Sequence, residues 1–275
     1  MGLAKVFKLV GVLLADGSID YKRYTISFTE NKELVEDLCN EFRDINGIKL
    51  KWVIEPQINS YRARAYSKEL RDFLLKFSPT FRTRPYDVHP ISNNTIVLSP
   101  TIPKECFSSK KFAKEFLIGF ISCDGGPELS VYRRRDKNCL QLHTGVKIGC
   151  KNEIIRKQLA ELLKQFDISP IVRSDGLQIK NTVNLKNFKN DIGFAKTAKV
   201  KKSKIFNDFY KNDILFLIVL CNNLSKKGYW INTNFKDEDE LEKFLLQCCK
   251  MIESKKFAKL YDFIFQKTGY SLGFG

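Results

Sequence analysis

The chain has 275 residues, a length that suggests about two domains, and its 43% hydrophobic and 28% charged side chains allow packed cores and exclude global disorder. Its 47 lysines and arginines against 31 acids give a net charge of +16, which points to a polyanionic partner, nucleic acid ahead of membrane. The eight cysteines contain no C-x-x-C pair and the only histidines are His89 and His143, so no structural zinc is expected and the thiols should be reduced and mostly buried.

The chain opens on an apolar run behind Lys5 and Lys8, Leu9-Val10-Gly11-Val12-Leu13-Leu14-Ala15-Asp16-Gly17. It could imitate a signal peptide, but a similar segment recurs in mid-chain, where no signal peptide could act. The longest uninterrupted apolar run, Ile214 to Cys221, is far short of the ~20 residues needed to span a bilayer, so a soluble intracellular protein is expected. After Asp16, Tyr24 to Phe28 alternates like a strand. Residues 31–46 read as an amphipathic helix with Leu34, Val35, Leu38 and Phe42 inward. Leu50 to Ile54 and Tyr61 to Tyr66 read as strands and Lys68 to Phe77 as a helix. Residues 78–103 hold five of the eight prolines, a linker signature.

The second copy of the opening segment is Leu117-Ile118-Gly119-Phe120-Ile121-Ser122-Cys123-Asp124-Gly125. Strands are expected near Glu128 to Arg133 and Leu140 to Ile148, then a helix from Asn152 to Phe166, strands around Ile171 and Leu177 to Lys180, and a helix from Leu185 to Ile192. Each half, residues 1–77 and 104–204, therefore reads as helix, hairpin, helix, hairpin, helix. A third region, 205–275, begins with a long apolar helix from Ile205 to Leu224. Trp230, an acidic run Asp237 to Glu242, and helical patterns at Leu241 to Ile252 and Phe257 to Phe265 follow, as a small helical appendage. The charge surplus sits in the second half (+12), against +3 before it and +1 after it, as a binding surface would have it.

Gly11 and Ala15, like Gly119 and Cys123, are four apart and stack on one helix face, leaving a smooth groove. Glycine inside a helix costs about 1 kcal/mol relative to alanine, and close approach of a second helix compensates. Two such helices are expected to pack as a pseudo-twofold pair, with Asp16 and Asp124 at their C-terminal ends and Gly17 and Gly125 as left-handed caps. Two carboxylates converging on a dyad need a proton or a divalent cation between them, and oxygen ligands of this kind suit Mg²⁺.

On these residues the chain resembles the LAGLIDADG homing endonucleases in their single-chain, two-motif form. The first copy matches the signature at Leu9, Gly11, Ala15, Asp16 and Gly17, and the second at Leu117, Gly119, Asp124 and Gly125. The segment Asn184 to Phe194 agrees as well, and the likeness covers roughly residues 1–205. The resemblance implies an α+β fold of two pseudo-twofold-related αββαββα half-repeats with antiparallel, saddle-shaped sheets, followed here by the C-terminal helical region. It implies cleavage of double-stranded DNA with Mg²⁺ or Mn²⁺ held by Asp16 and Asp124, one acid per strand, the carbonyls of Ala15 and Cys123 completing the shell. A lysine or glutamine near the end of the first hairpin is usual. Lys151 takes that place in the second half and Glu30 in the first, a departure that puts two-strand cleavage in doubt.

Strand alternation independently sets Arg62, Arg64 and Tyr66 opposite Tyr61, Ala63 and Ala65, and Arg23, Thr25 and Ser27 opposite Tyr24, Ile26 and Phe28. Lys49 and Lys51 should oppose Leu50, Trp52 and Ile54, and Gln178 and Lys180 should oppose Leu177 and Ile179. Such faces can lie in a major groove. With Lys147 and Arg173 they form the expected DNA surface, flanked by Arg133, Arg134, Arg135 and the Lys199 to Lys204 run as phosphate contacts. The alternative is a scaffold with weakened catalysis, an intron-RNA maturase or DNA-binding regulator. A monomer is expected, and a free-standing or intron product rather than an intein, because Leu272 to Gly275 lacks His-Asn splicing chemistry.

Overall fold

The computed structural model describes residues 2–81, 99–134, 138–201, 208–224, 234–237, 239–241 and 243–244. Helix α1 (Gly2–Asp16) passes without a loop into β1 (Gly17–Asp20), which turns back into β2 (Thr25–Glu30). The first half continues with α2 (Lys32–Glu41), β3 (Asp44–Ile45), β4 (Ile48–Lys49), β5 (Val53–Gln57), β6 (Ser60–Tyr66) and α3 (Lys68–Leu74). After α4 (Lys104–Ser108) the order repeats as α5 (Lys110–Asp124), β7 (Gly125–Arg134), β8 (Cys139–Gly149), α6 (Glu153–Lys164), β9 (Ile171–Arg173), β10 (Gly176–Ile179) and α7 (Thr182–Asn187). A π-helical turn (Phe188–Ile192) prolongs α7, and α8 (Lys211–Leu224) and β11 (Asn234–Phe235) follow.

The two long sheets are antiparallel and share one topology, β1-β2-β6-β5 and β7-β8-β10-β9, with β11 added beside β8 through Asn234↔Gln141 and Phe235↔Leu140. The αββαββα order is therefore present twice in one α+β fold. Helices α1 and α5 are apolar on nearly every side, as helices at the centre of a core must be, and bury Phe7, Leu9, Val10, Val12 and Leu13 with Phe116, Leu117, Phe120 and Ile121. One continuous apolar core joins both halves, with the Phe7 ring centroid 4.7 Å from that of Phe112, tilted, and 5.4 Å from that of Phe77, edge-on. No helix among the described residues is long and apolar enough to cross a membrane.

Equivalent helices start in equivalent ways. Asn31 caps α2 by accepting from the Leu34 N–H, and Asn152 caps α6 by accepting from the Ile155 N–H. The expected helix 31–46 ends at Glu41, because Asn46 and Gly47 take positive φ (55° and 85°) and fold residues 44–49 into a tight hairpin, the Asn-Gly turn preference. The strand expected at Leu50 to Ile54 begins only at Val53. It forms the sheet edge, so Ile54 is 37% exposed rather than core. The helix expected from Ile205 starts at Lys211, since Asp208 has φ 68° and Tyr210 bridges to Lys199. Trp230, residues 245–252 and the Phe257 to Phe265 pattern lie outside the described residues, as do Pro85 and Pro90.

Candidate active site

Gly11 and Gly119 make the helix pair. A Cβ on Gly11 would collide with the carbonyl oxygen of Phe116 and stand 2.9 Å from the Phe120 nitrogen; one on Gly119 would collide with the carbonyl oxygen of Lys8 and stand 3.2 Å from the Val12 nitrogen. Each glycine thus meets the residue three before and the residue one after the other glycine. That reciprocity defines a local twofold relation between α1 and α5. Ala15 and Cys123 lie farther along the same helices, half-buried and packed against the core.

Asp16 and Asp124 are the last residues of the two helices. Gly17 and Gly125 are not left-handed caps. Gly125 is extended (φ −109°, ψ 158°) and Gly17 has no positive φ, because each begins a strand directly. Glycine is needed there for space: a Cβ on Gly17 would strike the Leu13 backbone, and one on Gly125 the side chain and, at 2.6 Å, the carbonyl oxygen of Ile121. The acids are not equivalent in exposure, Asp16 being exposed and Asp124 half-buried.

The sheet register corrects the correspondence between the two hairpin ends. Gly17 pairs with Phe28 and Gly125 with Ile148, so Glu30 corresponds to the buried Cys150. Lys151 is one residue further on, exposed, in the extra position that precedes the Asn152 cap. The two positions in register, Glu30 and Cys150, therefore bring no positive charge to the acids. Glu30 is fully buried, its Oε2 held by Lys201 Nζ at 2.5 Å and accepting from the Asn31 N–H at 3.1 Å, while Oε1 has no partner among the described residues.

The cations come from beyond the last helical turn of the second half. Lys211, the first residue of α8, is buried and donates to the carbonyl oxygens of Ser122 (2.7 Å) and Gly125 (2.5 Å), bracketing Asp124. Burial pushes its ammonium below the usual lysine range, opposed by Glu30, Cys123 and Asp124. Burial, then the charges of Asp16 and Glu30, push Asp124 up to about 7. Burial likewise raises Glu30 against the pull of Lys201, and raises the Cys123 thiol beside Glu30 and Asp16. Asp16, Asp124 and Glu30 are thus electrostatically coupled at the foot of the helix pair, beside an open cleft of 580 Å³ whose lining includes Asp124, Glu128, Lys147, Lys201 and Lys211.

Among the described residues no three His, Cys, Asp or Glu side chains converge as a self-sufficient metal site. Mg²⁺ does not require one, because it is commonly held by one or two carboxylates together with substrate phosphates. Three coupled acids against two lysines, with one buried carboxylate oxygen unpartnered among the described residues, fit that donor set. Asp16 and Asp124, with the Ala15 and Cys123 carbonyls nearby in sequence, are the residues that could hold it.

On the first sheet, Thr25↔Tyr66, Ser27↔Arg64 and Thr29↔Arg62 are paired on one face, while Ala63 and Ala65 are buried on the other. Arg64 is engaged by Glu55 at 3.3 Å. Arg23 lies in the exposed β1–β2 turn, its backbone N–H bound to Asp20, and not on a strand. Lys49 and Lys51 leave the sheet and line a groove with Glu36, Arg43 and Asp44 beside α2.

On the second sheet, Gln178 pairs with Lys147, Lys147 binds Asp175 at 2.8 Å, and Arg173 is exposed on the edge strand. Lys180 Nζ is 2.8 Å from His143 Nε2, a polar pair the sequence reading did not single out. Arg133 and Arg134 end β7, with side chains outside the described residues, as is Arg135 entirely. Lys199 and Lys201, expected on phosphates, instead engage Glu33 and Glu30.

No family model and no curated protein matches the chain. Among solved structures it is similar to the homing endonuclease I-DmoI in complex with DNA and calcium, at 14% identity and a TM-score of 0.44 over 70% of this chain and 91% of that one. It is also similar to the N-terminal LAGLIDADG domain of DUF199/WhiA (15%, 0.42, 72% and 86%) and to the homing endonuclease I-WcaI bound to its DNA recognition sequence (13%, 0.40, 69% and 80%).

Proposed function

We propose that the chain is a monomeric LAGLIDADG-type endonuclease that hydrolyses phosphodiester bonds of double-stranded DNA with Mg²⁺ or Mn²⁺. The observation that carries this reading is the reciprocal fit of Gly11 and Gly119, which ends in two coupled acids, Asp16 and Asp124, at equivalent helix termini. A bound divalent cation supplies polarisation of a phosphoryl oxygen, a hydroxide nucleophile at neutral pH and stabilisation of the leaving oxygen. Asp16 and Asp124 orient it, one for each strand. The polar face of Thr25, Ser27, Arg62, Arg64 and Tyr66, and that of Lys147, Gln178 and Lys180, read base edges in the major groove. The surplus positive charge of the second half supplies salt-dependent phosphate attraction.

The test is selection of cleaved sites from a randomised duplex library with Mg²⁺. Recovery of one long sequence, cut in both strands and protected by a chelator, is the expected outcome. Cutting that persists in the Asp16→Asn, Asp124→Asn double variant overturns the assignment.

One observation favours a second reading. The ammonium groups of Lys201 and Lys211 already stand beside the acids, so the scaffold could bind without cutting, as an intron-RNA maturase or a DNA-binding regulator. Tight, salt-sensitive binding with no metal-dependent cutting selects it, and preference for RNA over duplex DNA selects the maturase.

A further inference from the structure

The acidic centre is reached by two lysines that belong to neither half-repeat's helix-hairpin frame. Lys201 lies beyond the last helical turn of the second half, and Lys211 opens α8. Lys201 Nζ holds Glu30 at 2.5 Å, where that carboxylate is fully buried. Lys211 Nζ, itself 4% exposed, donates to the carbonyls of Ser122 and Gly125 on either side of Asp124. Those carbonyls are the negative end of the α5 dipole, so the ammonium neutralises the pole where a carboxylate is least welcome. Tyr210, next to Lys211, is bonded to Glu33 at 2.8 Å and bridged to Lys199, which fixes the start of α8 against α2. Further along, Asn222 donates to Thr144 of β8 at 3.0 Å, fixing the helix at its other end. The ammonium is held by a helix anchored at both ends.

We infer that Lys201 and Lys211 are positioning residues that act as resident cations of the acidic centre, making α8 part of the active site and limiting how strongly the DNA-free protein attracts divalent metal. This rests on the nuclease reading above. Three carboxyl groups, Asp16, Asp124 and Glu30, share the centre with two ammonium groups, one acid more than the bases. A centre with one surplus negative charge accepts a single divalent cation readily, and a second only when DNA phosphates bring further negative charge. The lysines also supply positive charge that the two register-equivalent residues, Glu30 and Cys150, do not.

The experiment is calorimetric titration of Mn²⁺ into the DNA-free full chain, as wild type, Lys201→Met and Lys211→Met, with circular dichroism to establish folding and with strand-resolved cleavage of the selected site. Loss of a nearby positive charge should tighten Mn²⁺ binding by about tenfold in each folded variant, while cleavage falls. A lysine that served only as a structural tie would lower cleavage and leave Mn²⁺ affinity where it was. If Lys211→Met does not fold, the less buried Lys201→Met decides. Equal Mn²⁺ affinity in wild type and variants overturns this inference alone. No Mn²⁺ binding by any of the proteins, together with no cleavage by wild type, overturns the nuclease reading and this inference with it.

Discussion

The two ends of the helix pair invite comparison because the scaffold makes them equivalent and the side chains do not. At one end Asp16 is exposed, and the residue at the close of its hairpin is a buried glutamate tied to Lys201. At the other, Asp124 is half-buried beneath α8, its hairpin closes on Cys150, and Lys211 caps its helix. Backbone symmetry is imposed by packing, since only glycine fits where α1 and α5 cross. Electrostatic asymmetry is then added by residues that occur once. A duplicated frame fixes where two acids go, and Lys201 and Lys211, which lie outside the repeated elements, add the cations around them.

The largest expected effect breaks the shared frame. Gly11→Leu or Gly119→Leu forces a side chain into backbone, with no rotamer to escape to, and should cost at least about 4 kcal/mol in either case. Thermal melting should show both variants largely unfolded, and to a similar degree. Tolerance of one and not the other would refute the twofold relation.

Asp16→Asn and Asp124→Asn sharpen the comparison, each lowering cleavage of its own strand by about a thousandfold. Supercoiled plasmid should then accumulate as a nicked circle, with the nick on opposite strands for the two variants.

A third effect sits at the Asp124 end. Its carboxyl is raised to about 7 from an ordinary 3.8. Between those values the metal-free folded chain keeps a proton that the unfolded chain has lost. Stability must therefore fall as pH rises through that window and level off above it, by a total of about 4 kcal/mol at most. Denaturant titrations of wild type and Asp124→Asn from pH 4 to 8 should show the slope in the first and a shallower one in the second, where Glu30, also raised by burial, still contributes. The smallest effect returns to symmetry: Asn31→Ala and Asn152→Ala remove matching caps and should each cost about 1 kcal/mol, measured by the same titrations.

Much of this was legible in the sequence. The Gly11 and Gly119 spacing named the helix pair because a helical glycine four residues from another small residue has few uses besides close packing. Alternation along Tyr61 to Tyr66 gave the sheet face, since period two survives wherever one face is buried. What escaped was local chemistry competing with period. Asn46-Gly47 ends a helix whose apolar pattern runs on, and Ile54, on an edge strand, is exposed where alternation alone puts it in the core. The resemblance points to Lys151, whereas the ladder register, which places Cys150 beside the acid, exists only once strands pair. Lys211 was invisible for a different reason. A single lysine at the start of an apolar helix carries no pattern, and its partners Ser122 and Gly125 are backbone oxygens some 86 to 89 positions away.

One feature of the fold has a mechanical side. Asp16 and Asp124 are joined to Gly17 and Gly125 with no intervening loop, so each acid is rigidly coupled to the first strand of its sheet. Under the proposed function, a duplex that flexes to follow both sheets would carry the acids with it, like the jaws of callipers closing as their arms are set. A sequence too stiff to follow would be held and left intact, and fidelity would then be decided at the moment of cutting as much as at the moment of docking.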